Sequence, residues 1–482
     1  MTTLKTDLFI NGQFVPSASG KRFATSNPAT GETIAEVAEA GREDLDRAVT
    51  AARQAFESGP WAAMKPRQRG RILMRAADLL AARADDFGKV ETQDNGKPIF
   101  EAAKIDMPAA AECLSYFGEY ADKLYGDTFP GRKDAFLLTL REPVGVVGAI
   151  TPWNFPLLQA MWKIAPALAL GNAVVLKPAS VTPLTALMFA ELLTEAGLPP
   201  GAFNVVPGPG ALVGQAMAEH PGIDKISFTG ETETGKAIIR AAAGTVKRVS
   251  MELGGKSPNI VFADADLDAA AKGAINGIFY GKGELCSAGS RLLVEESIHD
   301  ALMEKVVDRA KKMAPGDPLD PKTRLGSLVS EKQRENVARY VASGTNEGAK
   351  LVAGGNPASV NGKGAFFEAT VFDGVTPSMT IAREEIFGPV LATLTFKNED
   401  EAIAIGNSTI YGLAAAVWTR DIKKALRAAK ALKAGTVWVN TYNFYDPGLP
   451  FGGYKESGFG RERGHYALAE YTQVKSIWVD LT

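Results

Sequence analysis

Cys286, in the segment 283–291, is the residue of this sequence best suited to covalent chemistry. A thiolate is a strong nucleophile, and backbone N–H groups at a nearby helix or strand start stabilise one. The glycines and serines around Cys286 predict an exposed turn, while the alternative is a small buried apolar residue, as most free cysteines are. Cys113 stands at an apolar position of a helical pattern and suits that alternative.

A cysteine nucleophile usually works with a base, and the three histidines stand in unpromising places. Glu252, in the segment 251–256, is the best placed carboxylate, because it ends a strand pattern beside a predicted boundary between two units. Most glutamates are solvated surface groups, which is the alternative for this one.

Two segments are candidates for holding a cofactor, although the sequence lacks a Gly-x-Gly-x-x-Gly motif. In the segment 228–236 a strand pattern leads through Gly230 into a helical pattern. Such a turn brings backbone N–H groups close to a pyrophosphate, but it also occurs as a plain connection. Lys177 closes an apolar strand, so its side chain points either into the crevice where α/β sheets bind ligands or into solvent.

The elements that must position these residues form two series of short apolar strands separated by helical patterns. The first series comprises the runs 144–150, 173–176, 203–206 and 225–228, and the second comprises 258–262, 291–294, 415–418 and 436–439. Strands of this kind predict parallel sheets buried on both faces, in two tandem α/β units that meet near Gly254-Gly255.

The remaining patterns add a hairpin, helices and two unassigned strands. Asn11-Gly12 predicts a hairpin within 9–15, and apolar spacing predicts helices over 43–56 and 67–84. The segments 135–140 and 474–479 are strand-like and apolar. They are either edge strands of a sheet or strands that pair across a subunit interface.

Composition excludes several classes of function. The 482 residues carry 53 basic and 55 acidic side chains, a net charge of −2 that offers no field for nucleic acid or an anionic membrane. No stretch has the character of a membrane span or a signal peptide. Two cysteines exclude a disulfide framework and a cysteine-rich metal site, so we expect a cytoplasmic α/β enzyme without a metal.

Seven segments occur in an order that resembles the aldehyde dehydrogenase superfamily, in its non-phosphorylating, hydrolytic branch. They are 151–156, 176–178, 228–230, 252–256, Cys286 with 288–291, 384–389 and 450–455. The resemblance covers almost the whole chain. It implies a Rossmann-like cofactor domain over 1–122 and 144–254, a catalytic domain over 255–455 and a β oligomerisation element over 123–143 and 466–482. It also implies a homo-oligomer, either a dimer or a homotetramer built as a dimer of dimers.

The resemblance further implies a reaction that oxidises an aldehyde to a carboxylic acid. The Cys286 thiolate attacks the aldehyde carbon, and the Asn154 amide with the backbone N–H of Cys286 holds the oxyanion. Hydride passes to NAD(P)+, and Glu252 activates the water that hydrolyses the thioester. Lys177 is the fourth residue that the resemblance assigns to the reaction, where it holds the adenosine ribose of the cofactor. Glu462 matches a position proposed to relay protons in some relatives.

The same resemblance implies two further groups of side chains. The cofactor groove is lined by Thr151, Pro152, Trp153, Lys177, Ser180, Gly210, Phe228, Thr229, Gly230, Glu231, Leu253, Gly254, Glu385 and Phe387. The substrate entrance is lined by Phe155, Gln159, Trp162, Leu285, Ser287, Tyr445 and Phe451.

Three departures from the family pattern bear on specificity. Ser180 replaces a glutamate common in NAD-preferring relatives, so either NAD or NADP can serve. Glu231 replaces the usual serine beside the pyrophosphate. Trp162 replaces the arginine of succinate semialdehyde dehydrogenases, so we expect an uncharged aliphatic or aromatic aldehyde as the small-molecule substrate. The alternatives are an amino- or betaine-type aldehyde held by cation–π contact, or transfer of the acyl group to coenzyme A.

Overall fold

The computed structural model describes residues 4–482. Its strands are β1 (Leu8–Ile10), β2 (Gln13–Val15), β3 (Arg22–Ser26), β4 (Thr33–Ala38), β5 (Thr128–Phe129), β6 (Ala135–Pro143), β7 (Val146–Ile150), β8 (Ala173–Lys177), β9 (Phe203–Val205), β10 (Lys225–Thr229), β11 (Arg248–Glu252), β12 (Pro258–Val261), β13 (Arg291–Glu295), β14 (Lys350–Ala353), β15 (Pro357–Val360), β16 (Lys363–Phe367), β17 (Thr370–Asp373), β18 (Val390–Phe396), β19 (Ala414–Trp418), β20 (Thr436–Val439), β21 (Gly458–Phe459) and β22 (Thr472–Asp480).

The α-helices are α1 (Arg42–Ser58), α2 (Pro66–Ala82), α3 (Ala84–Asn95), α4 (Ile99–Glu101), α5 (Met107–Tyr120), α6 (Pro156–Ala169), α7 (Leu184–Ala196), α8 (Gln215–Glu219), α9 (Thr232–Ala242), α10 (Leu267–Phe279), α11 (His299–Lys311), α12 (Glu331–Asn346), α13 (Thr380–Arg383), α14 (Glu399–Gly406), α15 (Ile422–Ala431) and α16 (Ala467–Glu470). Wider π-helical turns span Ala102–Asp106 and Gly210–Gly214, and a tight 3-10 turn spans Tyr280–Gly283. The predicted helix over 67–84 ends at Ala82, and α3 begins two residues later. Among residues 4–482, no helix is both long and apolar enough to cross a membrane.

The first large sheet has eight strands in the order β2-β1-β9-β8-β7-β10-β11-β21. The strands from β9 to β11 are parallel, and β1 and β21 pair antiparallel at either side. Alternate residues of β7 enter two different cores, with Val147 and Ala149 on one face and Val146 and Ile150 on the other. Both faces are therefore covered, which is why the strand sequences are almost continuously apolar.

The second large sheet has seven strands in the order β14-β17-β18-β13-β12-β19-β20. It is parallel except for the pair of β14 with β17. Ile260 and Val261 of β12 enter separate cores on its two faces. The chain passes from the first sheet to the second between Glu252 and Pro258, at the boundary predicted near Gly254-Gly255. The predicted α/β fold with two tandem units is confirmed.

The smaller elements agree only in part with their sequence predictions. In the predicted hairpin, Leu8 pairs with Val15, and Asn11 and Gly12 have φ of 52° and 78°, as a type I′ turn requires. The unassigned segments form β6 and β22, which pair along their whole length from Ala135↔Asp480 to Pro143↔Thr472. With β5 they make a separate three-stranded sheet, so the alternative that they are edge strands of a large sheet is wrong.

Candidate active site

Cys286 lies in the connection between the 3-10 turn Tyr280–Gly283 and β13. The predicted turn is present, but it is not exposed: Cys286 is half-buried, and its neighbours Leu285 and Ser287 are only 6% and 0% exposed. The backbone of Gly255 packs directly against the carbonyl of Cys286, and a Cβ at position 255 would stand 2.3 Å from that oxygen. The segment after β11 therefore packs tightly against the loop between Gly283 and β13, which carries Cys286 and is called the nucleophile loop below. Only glycine permits so close an approach.

A buried ion pair anchors the same loop from behind. The Lys282 ammonium lies 2.7 Å from the Glu284 carboxylate and donates hydrogen bonds of 2.9 and 3.0 Å to the side-chain and backbone oxygens of Asn95. The Asn95 amide in turn donates to the carbonyl of Trp153 at 2.7 Å. These bonds join the end of α3, the segment 151–156 and the nucleophile loop into one rigid unit.

Asn154 lies beside this loop with one of its two N–H groups already used. Its Nδ2 donates to the carbonyl of Glu284 at 2.9 Å, and the side chain is 5% exposed. A primary amide carries a second N–H, which is left for a ligand. A fixed, desolvated amide of this kind is suited to stabilising a developing oxyanion.

Glu252 is the last residue of β11, and within residues 4–482 neither of its buried carboxyl oxygens has a hydrogen-bond partner. Burial, then the charge of Glu462, raises its pKa well above the usual glutamate value. Glu462 itself pairs with the Lys163 ammonium, which also donates to Thr229 at 2.6 Å. The solvated-surface alternative for Glu252 does not hold, because the side chain is 4% exposed.

The two cysteines differ in their surroundings. Burial, together with the charges of Glu385 and Glu252, raises the pKa of Cys286, so the resting thiol is protonated. Burial also raises the pKa of Cys113 to about 12, and its side chain packs within the core around α5. Cys113 is therefore a packing residue.

The predicted phosphate and ribose residues lie along the carboxyl ends of the first sheet. Lys177 is 4% exposed, its Nζ donates to the carbonyl of Pro178 at 2.9 Å, and burial lowers its pKa to about 8. The Ser180 hydroxyl donates to the carbonyl of Gly208 at 2.8 Å. Glu231 is exposed at the start of α9, where its carboxylate approaches Thr234 at 3.5 Å.

Glu385 and Phe387 come to this groove from the second unit. The Glu385 carboxylate accepts from the backbone N–H of Gly255 at 3.0 Å, and burial raises its pKa to about 7. A Cβ at Gly254 would lie 2.1 Å from that carboxylate. Phe387 meets Trp153 edge-on, with ring centroids 5.1 Å apart.

The other predicted cofactor residues differ in how closely they are packed. A Cβ at Gly230 would lie 2.5 Å from the Phe228 ring, whereas Gly210 faces open space. Leu253 is buried against α9, and the buried hydroxyl of Thr151 has no partner within residues 4–482. Pro152 is half-buried. Free donors and small residues along strand ends fit a dinucleotide.

A cavity of about 670 Å³ reaches Cys286. Six of the seven predicted substrate residues line it: Phe155, Gln159, Trp162, Leu285, Tyr445 and Phe451. Ser287 is fully buried and hydrogen-bonds the Tyr445 hydroxyl at 2.7 Å. Trp162, Tyr445 and Phe451 form one aromatic wall with ring centroids 5.3 to 6.4 Å apart.

Sequence reasoning missed several lining residues of this cavity, among them Phe100, Ile105, Tyr280 and Arg463. Phe100 and Ile105 precede α5, and no pattern distinguishes them from ordinary helix residues. Arg463 follows Glu462 in a short loop far along the chain, where a single arginine gives no sequence signal. Only the tertiary fold brings it to the aromatic wall.

Strand ends that fit a dinucleotide beside a half-buried thiol are typical of a nicotinamide-dependent oxidoreductase. The family model described as "Aldehyde dehydrogenase family" matches residues 14–477, and the chain belongs to this family. It is an NAD(P)-dependent aldehyde dehydrogenase, which oxidises an aldehyde to an acid.

Three relatives illustrate the similarity. The chain is 50% identical to "Retinaldehyde dehydrogenase 3" of Homo sapiens, over 99% of this chain and 93% of that protein. It is 49% identical to "Putative aldehyde dehydrogenase DhaS" of Bacillus subtilis (strain 168), over 98% and 95%. The NAD+ complex of aldehyde dehydrogenase from Bacillus cereus superimposes with a TM-score of 0.98 at 48% identity, covering 99% of this chain and 97% of the other.

Proposed function

We propose that the chain oxidises aldehydes with an apolar or aromatic body, with Cys286 as nucleophile and Glu252 as base. The observation that carries the proposal is the position of Cys286 at an aromatic cavity of about 670 Å³, within reach of the charge of the unpaired Glu252. Cavities of this size and lining are typical of sites for small organic ligands.

In the first half of the reaction the Cys286 sulfur attacks the aldehyde carbon. The thiol first releases its proton to water, because only the thiolate is nucleophilic. The free N–H of Asn154 and the backbone N–H of Cys286 donate to the oxygen of the resulting thiohemiacetal. The nicotinamide of a bound NAD(P)+ supplies the hydride acceptor, and Cys286 is left carrying the acyl group as a thioester.

In the second half Glu252 takes a proton from a water molecule, which attacks the thioester and releases the carboxylic acid. Within the described range 4–482, the Glu252 carboxyl has no hydrogen-bond partner that would compete for this proton. Its presence also favours water over coenzyme A as the acyl acceptor.

NAD and NADP are both accepted in this proposal. Lys177, Ser180 and Glu385 hold the two riboses, and the hydroxyl of Ser180 adds no charge against a 2′-phosphate. The exposed Glu231 carboxylate lies against its own helix, which leaves the pyrophosphate to the backbone N–H groups at the start of α9.

The aromatic wall favours a substrate with an apolar body and disfavours a cationic one. Relatives act on retinaldehyde or indole-3-acetaldehyde by name, both of which carry large apolar groups. An ammonium group held between Trp162 and Tyr445 would meet the guanidinium of Arg463, which already lies over both rings. The amino- and betaine-type alternatives are therefore less suited to this cavity.

We also propose that the chain assembles as a homo-oligomer through the sheet of β5, β6 and β22. Its exposed apolar side chains include Phe129, Phe136, Val474 and Trp478. Apolar residues on an exposed strand surface mark interaction sites. The boundaries of the cofactor, catalytic and oligomerisation regions and the cytoplasmic location stay predictions.

The direct test is the absorbance of the reduced nicotinamide with NAD and NADP in turn, over neutral aliphatic and aromatic aldehydes. We expect turnover that requires the cofactor and disappears in Cys286→Ala. The matched control is Cys113→Ala, which removes the other thiol from the core and leaves turnover in place. Turnover that survives Cys286→Ala would remove the nucleophile from the proposal.

A further inference from the structure

Arg463 is a buried cation without a partner. Its side chain lies at the aromatic cavity and the residue is only 6% exposed. Within residues 4–482 no carboxylate lies at ion-pair distance, and the buried Nε has no hydrogen-bond acceptor. Glu112 and Asp446 act on Arg463 only through their more distant charges.

Other buried cations of the chain are compensated. Lys163 pairs with Glu462, Lys97 with Asp106 and Lys282 with Glu284, while Arg291 donates to three backbone carbonyls. Lys256 also has no partner, but burial lowers its pKa to about 7, so it can lose its proton. An arginine keeps its charge under the same conditions, because guanidinium does not deprotonate in proteins.

The geometry around Arg463 leaves the edge of the guanidinium for a ligand. The carbon of the guanidinium lies 5.1 Å from the centroid of Trp162 and 5.3 Å from that of Tyr445. Cation–π contact holds the group beside these rings without using any of its N–H donors. The N–H groups point outward in the guanidinium plane, in the fork arrangement that binds a carboxylate with two parallel hydrogen bonds.

The acidic residues at the cavity do not cancel this positive site. Asp106 is paired with Lys97, and burial raises the pKa of Glu101 to about 8, so that it is mostly protonated at neutral pH. Glu112, the third acidic lining residue, is exposed to solvent and makes no ion pair with Arg463 within residues 4–482. Lys272 and Arg324 also line the cavity, both as exposed residues. The cavity therefore has an aromatic wall and one desolvated positive end.

We propose that Arg463 binds an anionic group, of the carboxylate type, at the distal end of the aldehyde substrate. This inference rests on the proposed function and narrows its substrate class to aldehydes with an apolar body and a terminal anion. The cation that Trp162 cannot supply in α6 comes from Arg463 in the loop after β21, which lies over the Trp162 ring. The reaction at Cys286 is unchanged.

The test compares 4-carboxybenzaldehyde with 4-carbamoylbenzaldehyde, which have the same shape and differ in charge. A second matched pair, 6-oxohexanoate and its primary amide, tests longer and more flexible substrates in the same way. We expect wild type to prefer the carboxylate in at least one pair. Arg463→Leu is expected to lower the carboxylate-to-amide ratio of kcat/KM about 10- to 100-fold, mainly through KM. The ratio is the readout because Arg463 also packs against the aromatic wall.

Two variants keep the test interpretable. Arg463→Lys retains the charge without the fork and is expected to keep more of the preference than Arg463→Leu. Arg324→Leu removes an exposed cation from the rim and is expected to leave the ratio within about twofold. Should Arg463→Leu fail to fold, the comparison of Arg463→Lys with wild type decides in its place.

Binding without turnover separates this inference from the proposed reaction. In Cys286→Ala we expect calorimetry to detect the carboxylate aldehyde and to lose the signal when Arg463→Leu is added. Equal ratios in wild type and Arg463→Leu for both substrate pairs would overturn the inference. Equal ratios accompanied by a change of molecular mass would assign Arg463 to a subunit interface, which also overturns it.

Discussion

Cys286 and Glu252 must both be ionised to react, yet burial raises the pKa of each. The two charges also oppose one another, because the Glu252 carboxylate is one of the causes that raise the thiol pKa. A thiolate beside an ionised Glu252 is therefore disfavoured. The proposed mechanism separates the two needs in time, since the thiolate acts in the first half and the carboxylate in the second.

Replacement of the base separates these halves experimentally. We expect Glu252→Gln to keep a burst of reduced nicotinamide, because acylation needs only Cys286, and to lose steady turnover by about 10²–10⁴-fold. The measurement is rapid-mixing absorbance over a single turnover followed by the steady state. The wild-type steady rate should rise with pH through a pKa above the usual glutamate value, as the ionised carboxyl is the active form. Normal steady turnover in Glu252→Gln would remove this residue as the base.

The Ser180 hydroxyl predicts tolerance of NADP. Ser180→Glu should lower kcat/KM for NADP at least about tenfold and leave NAD far less affected, because the new carboxylate repels a 2′-phosphate beside Lys177. Steady-state kinetics with both cofactors measures the ratio. Ser180→Ala, which removes the hydrogen bond to Gly208 without adding charge, is the control. A ratio unchanged in Ser180→Glu would place the ribose elsewhere.

At the scale of elements, two connections set the geometry of the reaction. The link from β11 to β12 passes Gly255 against the Cys286 carbonyl, and the loop before β13 is held by Lys282 and Glu284. The nucleophile is thus fixed by segments of both sheets, and its position depends on how these two connections meet.

The contact at Gly255 can be tested with one methyl group. Gly255→Ala should lower kcat by about 10²-fold or more, because its Cβ would lie 2.3 Å from the Cys286 oxygen and the loop must shift. Kinetics combined with circular dichroism measures activity and fold together. Gly244→Ala is the control, since a Cβ there meets nothing within 4 Å. Full activity in Gly255→Ala would show that the loop is free to adjust.

A buried carboxyl links α3 to its neighbours and couples stability to pH. Asp94 accepts from the hydroxyl of Thr25 and from the backbone N–H of Leu184, and burial raises its pKa to about 7. Between about pH 4 and 7 the folded chain holds a proton that the unfolded chain has lost, so the free energy of unfolding falls as pH rises.

Removal of this carboxyl should flatten that dependence. Asp94→Asn is nearly isosteric and is expected to remove up to about 3 kcal/mol of the loss in stability between pH 5 and pH 8. Urea unfolding at several pH values measures it. Asp78→Asn, an exposed site on α2, should leave the slope unchanged. An unaltered slope in Asp94→Asn would mean that Asp94 is ionised in the folded state.

Local sequence patterns predict most helices and strands, but they do not predict which distant segments pack around a given residue. Asn11-Gly12 forces positive φ at two residues, and apolar runs such as 173–176 suit only a strand covered on both faces, so both were predictable. The glycines and serines near Cys286 predict a turn. They contain no information about the distant segments that pack against this turn and bury its residues. The unpaired charge of Arg463 arises from the absence of distant partners, which no local pattern records.

At the scale of the whole molecule, the sheet of β5, β6 and β22 carries the proposed assembly. We expect sedimentation equilibrium to give two or four times the 51.1 kDa chain mass. Trp478 is 64% exposed on β22, and Trp478→Glu places a charge on this apolar surface. The variant should therefore form a smaller oligomer than wild type. Val246→Glu, at a 90% exposed residue outside this sheet, is the control. A monomeric wild type would contradict the proposed assembly.

The return of the chain to the first sheet has a consequence for its synthesis. β21 pairs with β11, and β22 pairs with β6, although more than 200 residues separate each pair. While a ribosome is still making the second unit, β11 of the first sheet and β6 of the separate three-stranded sheet therefore each have an unsatisfied hydrogen-bonding edge. Such edges favour aggregation, so the nascent chain needs protection until its last 25 residues emerge, and truncation near residue 455 should yield insoluble protein rather than an independently folded first unit.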